Sequence, residues 1–496
     1  MWNLPLKNPT LLIGLELGLG VGFLLFCSSF ADAQPSGIVV SVTDTSSSAT
    51  RPPLWGTDTL FHPEQGLRGA ASCATASCHS GPKVGVATET TYRGSEYSLW
   101  LENDPHAQSW RTLCSDESAK IMSKLGILRD GKVVKADAYQ NCLACHNTDR
   151  QVAADNITPR IAEGVGCESC HGASERWYDR HFQSLEAKQL AVSSLGLADT
   201  NALVQRAKVC TLCHVGGKDR DMNHDLIAAG HPALYFDLAV YYESYPKHWR
   251  DAEQTDPNFR SRLWLAGQIA MADSELELLQ ARALKTLPVS TWPELSSYQC
   301  TSCHVSLNGI PKPIHSIDRD LMGSGRAPTR DWNLGGVEAL STYLNRSIPE
   351  LDNRAAVLRS TMEAPNPSVS KISEQATGLR NLIHQSLYAT GDLSLSRWTN
   401  SRQISFSASR FQIASRMSNW EYASGTYMSA WASSQAMRST ELDQAMQTIR
   451  HALVFPVDTQ SPKFPRRAES TSPPNLDQWH SALRKATTEL LESTVK

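Results

Sequence analysis

Four segments of the sequence carry the pattern C-x-x-C-H, which limits the possible folds more than any other feature of the chain. The segments are 142–146, 167–171, 210–214 and 300–304. This pattern is typical of the covalent attachment of c-type haem. Positions i, i+3 and i+4 lie on one face of a helical turn, so two thiols can bond the vinyl-derived carbons while the adjoining imidazole reaches the iron. Histidine is a suitable fifth ligand because its neutral ring nitrogen binds iron without adding charge.

This interpretation gives each motif residue a role. We predict thioether attachment at Cys142, Cys145, Cys167, Cys170, Cys210, Cys213, Cys300 and Cys303, and iron ligation by His146, His171, His214 and His304. Zinc is the alternative, because the first four of these cysteines would make a plausible four-cysteine zinc site. Zinc does not require a histidine directly after each second cysteine, so haem is preferred.

A fifth segment, Cys73 to His79, has four residues between its thiols. On a regular helix such positions lie roughly 140° apart, so this segment must depart from helix to present both sulfurs to one porphyrin. We predict attachment at Cys73 and Cys78 with His79 on the iron; the alternative is a single thioether from Cys78. Five motifs predict about five haems c. Cys114 is left over, and we expect a buried free thiol there, with a regulatory or dimer-forming thiol as the alternative.

The first 33 residues have the pattern of an export signal. Lys7 precedes an apolar run over residues 11–26, and Ala31-Asp32-Ala33 forms a small-x-small cleavage site. An uncleaved membrane anchor is the alternative. We therefore predict a periplasmic or otherwise exported protein, which touches a membrane only if the segment is kept.

Composition excludes other classes. A hydrophobic content of 41% excludes a wholly disordered chain, and a formal net charge of −3 argues against a nucleic-acid partner held by a strong positive field. Beyond the N-terminus no apolar stretch approaches the roughly 20 residues of a membrane span.

Residue distribution predicts four regions: a signal peptide over 1–33, a Ser/Thr/Pro/Gly linker over 34–66, a multihaem cytochrome c domain over 67–316 and a helical region over 317–496. The last region has no cysteine. Leu379, Leu382, Ile383 and Leu387 follow the spacing of one helix face, and a similar stripe runs over 476–490. The aromatic residues of 398–431 could form a ligand surface, but helix core is the preferred interpretation.

Seven histidines between residues 60 and 316 lie outside the attachment motifs, and five haems need at most five of them. They are His62, His106, His181, His224, His231, His248 and His315. This supply predicts six-coordinate irons with two histidines each, which favours electron transfer over substrate binding. Met122, Met222 and Met271 are alternative ligands, although Met commonly fills gaps in apolar cores. We expect a mainly α fold with short helices and long loops packed round the haems, and little sheet.

The phrases around the motifs are also informative. They include Gly164-Val165-Gly166-Cys167-Glu168-Ser169-Cys170-His171-Gly172 with Arg180-His181 downstream, Asp104-Pro105-His106-Ala107, Gln140-Asn141-Cys142 and Lys208-Val209-Cys210. Over about residues 70–215 the chain resembles the multihaem cytochrome c-552/c-554 family, which includes the tetrahaem electron acceptor of hydroxylamine oxidoreductase.

Beyond residue 215 the chain is similar to longer members of that group, with like phrases at 223–232 and 246–249 before one further motif. The four-residue first spacing also occurs there, which supports Cys73 as an attachment point. The resemblance implies His106, His181 and His231 as distal ligands, with His224 next.

Two function classes follow. The favoured hypothesis is an exported multihaem c-type cytochrome that carries electrons between a redox protein donor and acceptor, rather than an enzyme. The alternative is a reductase or oxidase of a small nitrogen or sulfur compound at one open-site haem. Pentahaem nitrite reductases replace one motif histidine by lysine, and no C-x-x-C-K occurs here. A last third that docks a partner enzyme or membrane anchor is compatible with the first hypothesis.

Overall fold

The chain folds mainly as α-helix, as the sequence predicts. A computed structural model describes residues 66–81, 94–149, 162–249, 256–287, 291–300, 327, 329–330, 332–344, 348–390, 395–412, 420–437 and 440–452. The one sheet among these residues is a two-residue hairpin of β1, Leu128–Arg129, and β2, Lys132–Val133.

Several predicted features lie outside the described residues. They are the signal over 1–33, nearly all of the linker, the motif residues Cys303 and His304, the boundary at 316, and the stripe over 476–490. The described residues all belong to one unit, Pro53–Lys496.

Short helices form the part of the chain that holds the haem motifs. They are α1 (Glu96–Asn103), α2 (Ser109–Leu113), α3 (Asp116–Leu125), α4 (Gln140–His146), α5 (Cys167–His171), α6 (Leu185–Leu190), α7 (Leu203–His214), α8 (His224–Ala229) and α9 (Leu238–Ser244). Short 3₁₀ turns lie at Ala70–Cys73, Pro105–Gln108, Ala136–Ala138 and Leu295–Ser297. Side-chain caps limit several helices: Ser115 accepts the Ser118 N–H at the start of α3, and Gly126 ends it with a φ of 62°.

The long helix α10 (Phe259–Ala283) is the exception to the expected short helices. It is buried nearly all round, and Leu263, Ile269 and Leu276 have no exposed surface. Such a helix belongs to the centre of a core rather than to its edge. It contacts α7 and α9 on the haem-motif side of the sequence.

The described part of the last third is helical too. Its helices are α11 (Gly335–Tyr343), α12 (Pro349–Met362), α13 (Val369–Thr390), α14 (Asn400–Phe411), α15 (Trp420–Met437) and α16 (Thr440–Ala452). Of these, α11, α13 and α15 pack directly against α10. Packing against α11 is close enough that a Cβ on Gly336 would overlap the carbonyl oxygen of Gln268.

The predicted apolar face in this region is confirmed. Leu379, Ile383 and Leu387 on α13 are buried, whereas Leu382 is half-buried. The aromatic side chains described between 398 and 431 also lie in the core; they are Trp398, Phe406, Phe411, Tyr422, Tyr427 and Trp431. Helix core is therefore the correct interpretation of these aromatics.

A buried charged cluster joins three of these helices. Lys208 Nζ on α7 donates to Asp273 Oδ2 on α10 at 2.5 Å, and both side chains have no exposed surface. From α13, Arg380 Nε donates to Asp273 Oδ1 at 3.0 Å and His384 Nε2 lies 2.8 Å from the same oxygen. Glu277 Oε2 on α10 also lies 3.5 Å from Lys208 Nζ and 3.6 Å from Arg380 Nη2. The cluster thus links a haem-motif helix to the last third of the chain through two carboxylates.

Among the residues that the structure describes, no helix combines the length and the apolar character needed to cross a membrane.

Candidate haem-binding sites

Three C-x-x-C-H motifs lie on helices, as the spacing predicts. The second, third and fourth motifs along the chain form the C-terminal turn of α4, the whole of α5 and the C-terminal turn of α7. The first motif does depart from helix: Cys73 ends a 3₁₀ turn and Cys78 and His79 follow in a separate turn. Cys300 lies at the end of a described segment, and its partners Cys303 and His304 lie outside the described residues.

Three glutamates fix the backbone that leads into Cys73. Glu168, buried on α5, accepts the N–H groups of Arg68 at 3.1 Å and Gly69 at 2.8 Å. Glu163 accepts the next two N–H groups, those of residues 70 and 71, and Glu175 accepts that of residue 66. Charged acceptors make strong hydrogen bonds to backbone N–H groups. The first and third motifs are therefore held together, and no spacing in the sequence pointed to these glutamates.

Four motif histidines each face a second histidine. The ring centroids are 6.3 Å apart for His79 and His181 (site 1), 6.3 Å for His146 and His231 (site 2), 6.4 Å for His171 and His248 (site 3), and 6.1 Å for His214 and His106 (site 4). Partners are separated by 77 to 108 positions in the sequence, so the fold rather than the local sequence creates each pair.

This separation fits one metal ion between each pair. Metal–imidazole bonds are about 2.0–2.1 Å long, and a five-membered ring with bonds of about 1.3–1.4 Å places each nitrogen about 1.2 Å from its centroid. Two ligands on opposite sides of one metal then have centroids about 6.4 Å apart. Any angle between the ring planes is compatible, because both planes contain the metal–nitrogen axis. The observed angles are 12°, 85°, 61° and 89° for sites 1 to 4.

Hydrogen bonds at Nδ1 leave Nε2 free for a metal. The acceptors are carboxylates for His79 (Glu96 Oε2, 3.1 Å) and His106 (Asp104 Oδ1, 2.8 Å). They are backbone carbonyls for His146 (residue 109, 3.1 Å), His181 (residue 178, 2.9 Å) and His231 (residue 232, 2.9 Å). Since none of these acceptors carries a hydrogen, Nδ1 donates and the lone pair stays on Nε2.

Burial keeps several of these imidazoles neutral. It lowers the pKa of His171 and of His214 to about 4, with smaller contributions from neighbouring histidines. Burial also lowers the pKa of His146, His231 and His248. A neutral imidazole is the form that ligates a metal. At neutral pH these five imidazoles are thus ready to bind one, whereas the hydrogen bond to Glu96 raises the pKa of His79 at site 1.

Burial also favours the neutral form of several motif thiols. Burial raises the pKa of Cys142 and Cys170 to about 12, and that of Cys210 to about 11. Cys73 differs, because a hydrogen bond with Cys167 lowers its pKa to about 7. Thiols of the first and third motifs therefore lie side by side.

Sites 2 and 4 are also neighbours. Ser109 Oγ donates to the carbonyl of His106 at 2.7 Å and to that of His146 at 2.9 Å. The pKa of His214 is lowered by burial and then by both of these histidines. Sites 1 and 3 are linked in the same way, since burial and then His248, His79 and His181 lower the pKa of His171.

Among the spare histidines, His106, His181 and His231 face motif histidines, as the resemblance implies, and so does His248. His224 begins α8, and its backbone N–H donates to Glu294 Oε1 at 2.8 Å. Glu294 caps the turn Leu295–Ser297, which leads to Cys300. His62 and His315 lie outside the described residues.

The remaining sulfur side chains behave less uniformly. Met122 and Met271 are buried in the core, which suits packing rather than ligation. Cys114 is exposed, so the expectation of a buried thiol is wrong. The reason is that α2 ends at Leu113, which leaves Cys114 beyond the helix with its Sγ 3.9 Å from Asp137 Oδ2.

In the described part of the chain, no group of three or more His, Cys, Asp or Glu side chains is arranged to hold a metal ion. The four cysteines of the second and third motifs are thus not gathered as a zinc site would need.

Comparison with known proteins identifies one family. Residues 72–172 match the family model described as cytochrome c554 and c-prime. This segment contains the first three motifs and the proposed distal residue His106. No curated protein and no solved structure matches the chain.

Proposed function

We propose that this chain, whose residues 72–172 match the family model of cytochrome c554 and c-prime, carries single electrons between a donor and an acceptor protein through five covalently bound haems. Haem c supplies reversible one-electron exchange at iron when bound. The observation that carries the proposal is the set of four histidine pairs with centroids 6.1–6.4 Å apart.

Each pair would hold one haem by both axial positions. We assign His79 and His181 to the first motif, His146 and His231 to the second, His171 and His248 to the third, and His214 and His106 to the fourth. His62, His224 and His315 are then unassigned, and we assign His224 to the fifth motif. Its tie to Glu294, just before Cys300, supports that assignment.

The contacts between sites suggest an order along the molecule. Site 1 adjoins site 3 through Cys73 and Cys167, and site 4 adjoins site 2 through Ser109. Helices α5 and α7, which carry the motifs of sites 3 and 4, pack on each other. We therefore propose the order 1–3–4–2 for electron passage.

Two histidines at each iron favour a carrier over an enzyme, because substrate binding needs an open coordination position. Spectroscopy of the ferric protein tests this. We expect low-spin irons at sites 1 to 4 by electron paramagnetic resonance, no change on adding carbon monoxide after reduction, and five haems by pyridine haemochrome. A high-spin iron that binds the gas would contradict the carrier and support the alternative reductase or oxidase.

Replacing one ligand tests the pairing. His248→Ala should convert one low-spin iron into a high-spin, gas-binding iron, because the distal imidazole of site 3 is lost. His384→Ala is the matched control: this histidine bonds Asp273, away from the four pairs, and its loss should leave the number of low-spin irons unchanged. Unaltered spectra in His248→Ala would refute the assignment of site 3.

We propose export as well, on the signal pattern of residues 1–33. N-terminal sequencing of the mature protein should begin at Gln34. A chain that retains Met1 would support the membrane-anchored alternative.

A further inference from the structure

Sites 2 and 4 form a matched comparison inside one molecule. Their ring planes cross at 85° and 89°, and their centroids are 6.3 and 6.1 Å apart. Burial lowers the pKa of the motif histidine in both. They differ in what the distal Nδ1–H meets: the carbonyl of Pro232 for His231, but a carboxylate oxygen of Asp104 for His106.

Asp104 is hydrogen-bonded to the ring of one paired histidine, His106. Its side chain is 1% exposed, and Oδ1 accepts both the backbone N–H and the Nδ1–H of His106, at 2.9 and 2.8 Å. Oδ2 accepts the hydroxyl of Tyr245 at 2.5 Å. Tyr245 lies just past α9 and its ring packs on His106 with centroids 5.9 Å apart. The carboxylate is therefore shared between a histidine and a tyrosine.

We propose that Asp104, restrained by Tyr245, is the positioning residue that makes the iron of site 4 harder to reduce than the iron of site 2. A carboxylate that accepts Nδ1–H increases the basicity of the ligating imidazole. A buried negative charge also favours the more positive ferric state, since the low dielectric hardly screens it. A backbone carbonyl increases the basicity of the imidazole less and stabilises the ferric state less. This inference rests on the histidine pairs of the proposed function.

The hydrogen bond from Tyr245 predicts the direction in which each substitution shifts the midpoint potential. The Tyr245 hydroxyl donates a hydrogen bond to Asp104 and draws negative charge towards Oδ2. Asp104 Oδ1 is then a weaker acceptor for the Nδ1–H of His106. Removing the hydroxyl should strengthen the Asp104–His106 bond, whereas neutralising the carboxylate should weaken it. Two substitutions in one hydrogen-bonded chain should thus move one potential in opposite directions, which a purely structural role would not produce.

The test is a potentiometric titration of the full haem-loaded protein, followed by electron paramagnetic resonance and optical absorption. Asp104→Asn should raise the midpoint potential of site 4 most and that of site 3 less, because the charge of Asp104 also acts on His248. Tyr245→Phe should lower the potential of site 4. Asparagine retains the oxygen that caps the turn after residue 104, so the fold is preserved.

Glu96→Gln is the matched control. Glu96 accepts the Nδ1–H of His79, so its change should move the centre with nearly parallel rings, site 1, and not site 4. The inference is wrong if neither variant of residues 104 and 245 moves a potential, or if both move it in one direction.

A third variant separates this inference from the pairing. His106→Met replaces a nitrogen ligand by sulfur, which should raise the potential of the centre that Asp104→Asn shifts most. If His106→Met changes no centre, the pairing itself fails. If it changes one centre that Asp104→Asn and Tyr245→Phe leave untouched, the pairing stands and the role of Asp104 fails.

Discussion

Asp237 is an ionisable side chain held almost wholly out of water next to site 4. Its carboxylate caps α9 by accepting the Val240 N–H at 3.1 Å, and the preceding residue, Phe236, stacks on His214 with centroids 5.0 Å apart. Burial raises the pKa of Asp237 to about 6, although several hydrogen bonds oppose the shift. The folded protein therefore resists ionisation of this group.

The raised pKa predicts how Asp237→Asn affects stability. An acid whose pKa is higher in the folded than in the unfolded state does not reduce the free energy of unfolding below about pH 4, where it is protonated in both states. Between about pH 4 and about pH 6 it reduces that free energy increasingly, and above about pH 6 the reduction is constant. The amide keeps the cap without the charge. We expect Asp237→Asn to increase the free energy of unfolding by about 1–3 kcal/mol at about pH 7.5.

Denaturant unfolding at about pH 5 and about pH 7.5 checks the sign, since the gain should be smaller at the lower pH. A variant that is destabilised equally at both values would show that the hydrogen bonds of the carboxylate outweigh its burial.

At the scale of elements, the contact of α7, α10 and α13 depends on Asp273. Burial alone would raise the pKa of Asp273, but Lys208, His384 and Arg380 hold it well below the usual range. The carboxylate then contributes stability above the unfolded pKa of about 3.9 and loses it only as pH falls through its lower folded value. These helices should therefore separate only at a strongly acidic pH.

Asp273→Asn should destabilise the protein by about 3–5 kcal/mol, because it removes the nearest counter-charge of the buried Lys208 ammonium and leaves the more distant Glu277 Oε2 at 3.5 Å. Glu350→Gln is the control. It breaks an exposed ion pair on α12, in which the glutamate is 58% exposed, and should cost under about 0.5 kcal/mol. Thermal unfolding followed by haem absorption measures both. Equal effects would mean that the buried cluster is no stronger than a surface pair.

The elements also show where prediction from sequence succeeds. The C-x-x-C-H spacing correctly indicated helical turns at α4, α5 and α7, since the periodicity of a helix is local. The long helix α10 was not anticipated, because it carries no motif and its buried residues lie nearly all round it, so no single apolar face marks it in the sequence. The partner of His171 was not identified either, because His248 is brought to it by contacts that no single window of sequence contains.

The carboxylates that orient the motif residues were harder still to predict from the sequence. Asp104 had one local signal, an Asp-Pro pair that favours the start of a helical turn. Glu163 and Glu168 had no such signal, because the backbone N–H groups that donate to their carboxylates lie almost 100 positions away in the sequence. Sequence therefore predicted candidate haem ligands, while the fold supplies the groups that orient their side chains.

For the whole molecule, the haem-motif region and the last third share one core helix. Removing residues 317–496 would strip α11, α13 and α15 from α10 and expose its buried leucines. We predict that a chain ending at residue 316 is recovered aggregated or in far lower yield than the full chain, because such large apolar surfaces drive association. Size-exclusion chromatography of both chains, purified side by side, provides the measurement. A monomeric truncated protein with all its haems would refute this dependence.

The adjacent sulfurs of Cys73 and Cys167 have a consequence for biogenesis. They belong to different motifs, and the hydrogen bond between them makes Cys73 the more reactive partner. If the polypeptide reached its final conformation in an oxidising compartment before ligation, these two sulfurs could be oxidised to a disulfide, and each of two proposed haems would lose one of its two thioether attachments. On the proposed export and haem attachment, ligation of either sulfur before the two meet would prevent this cross-link.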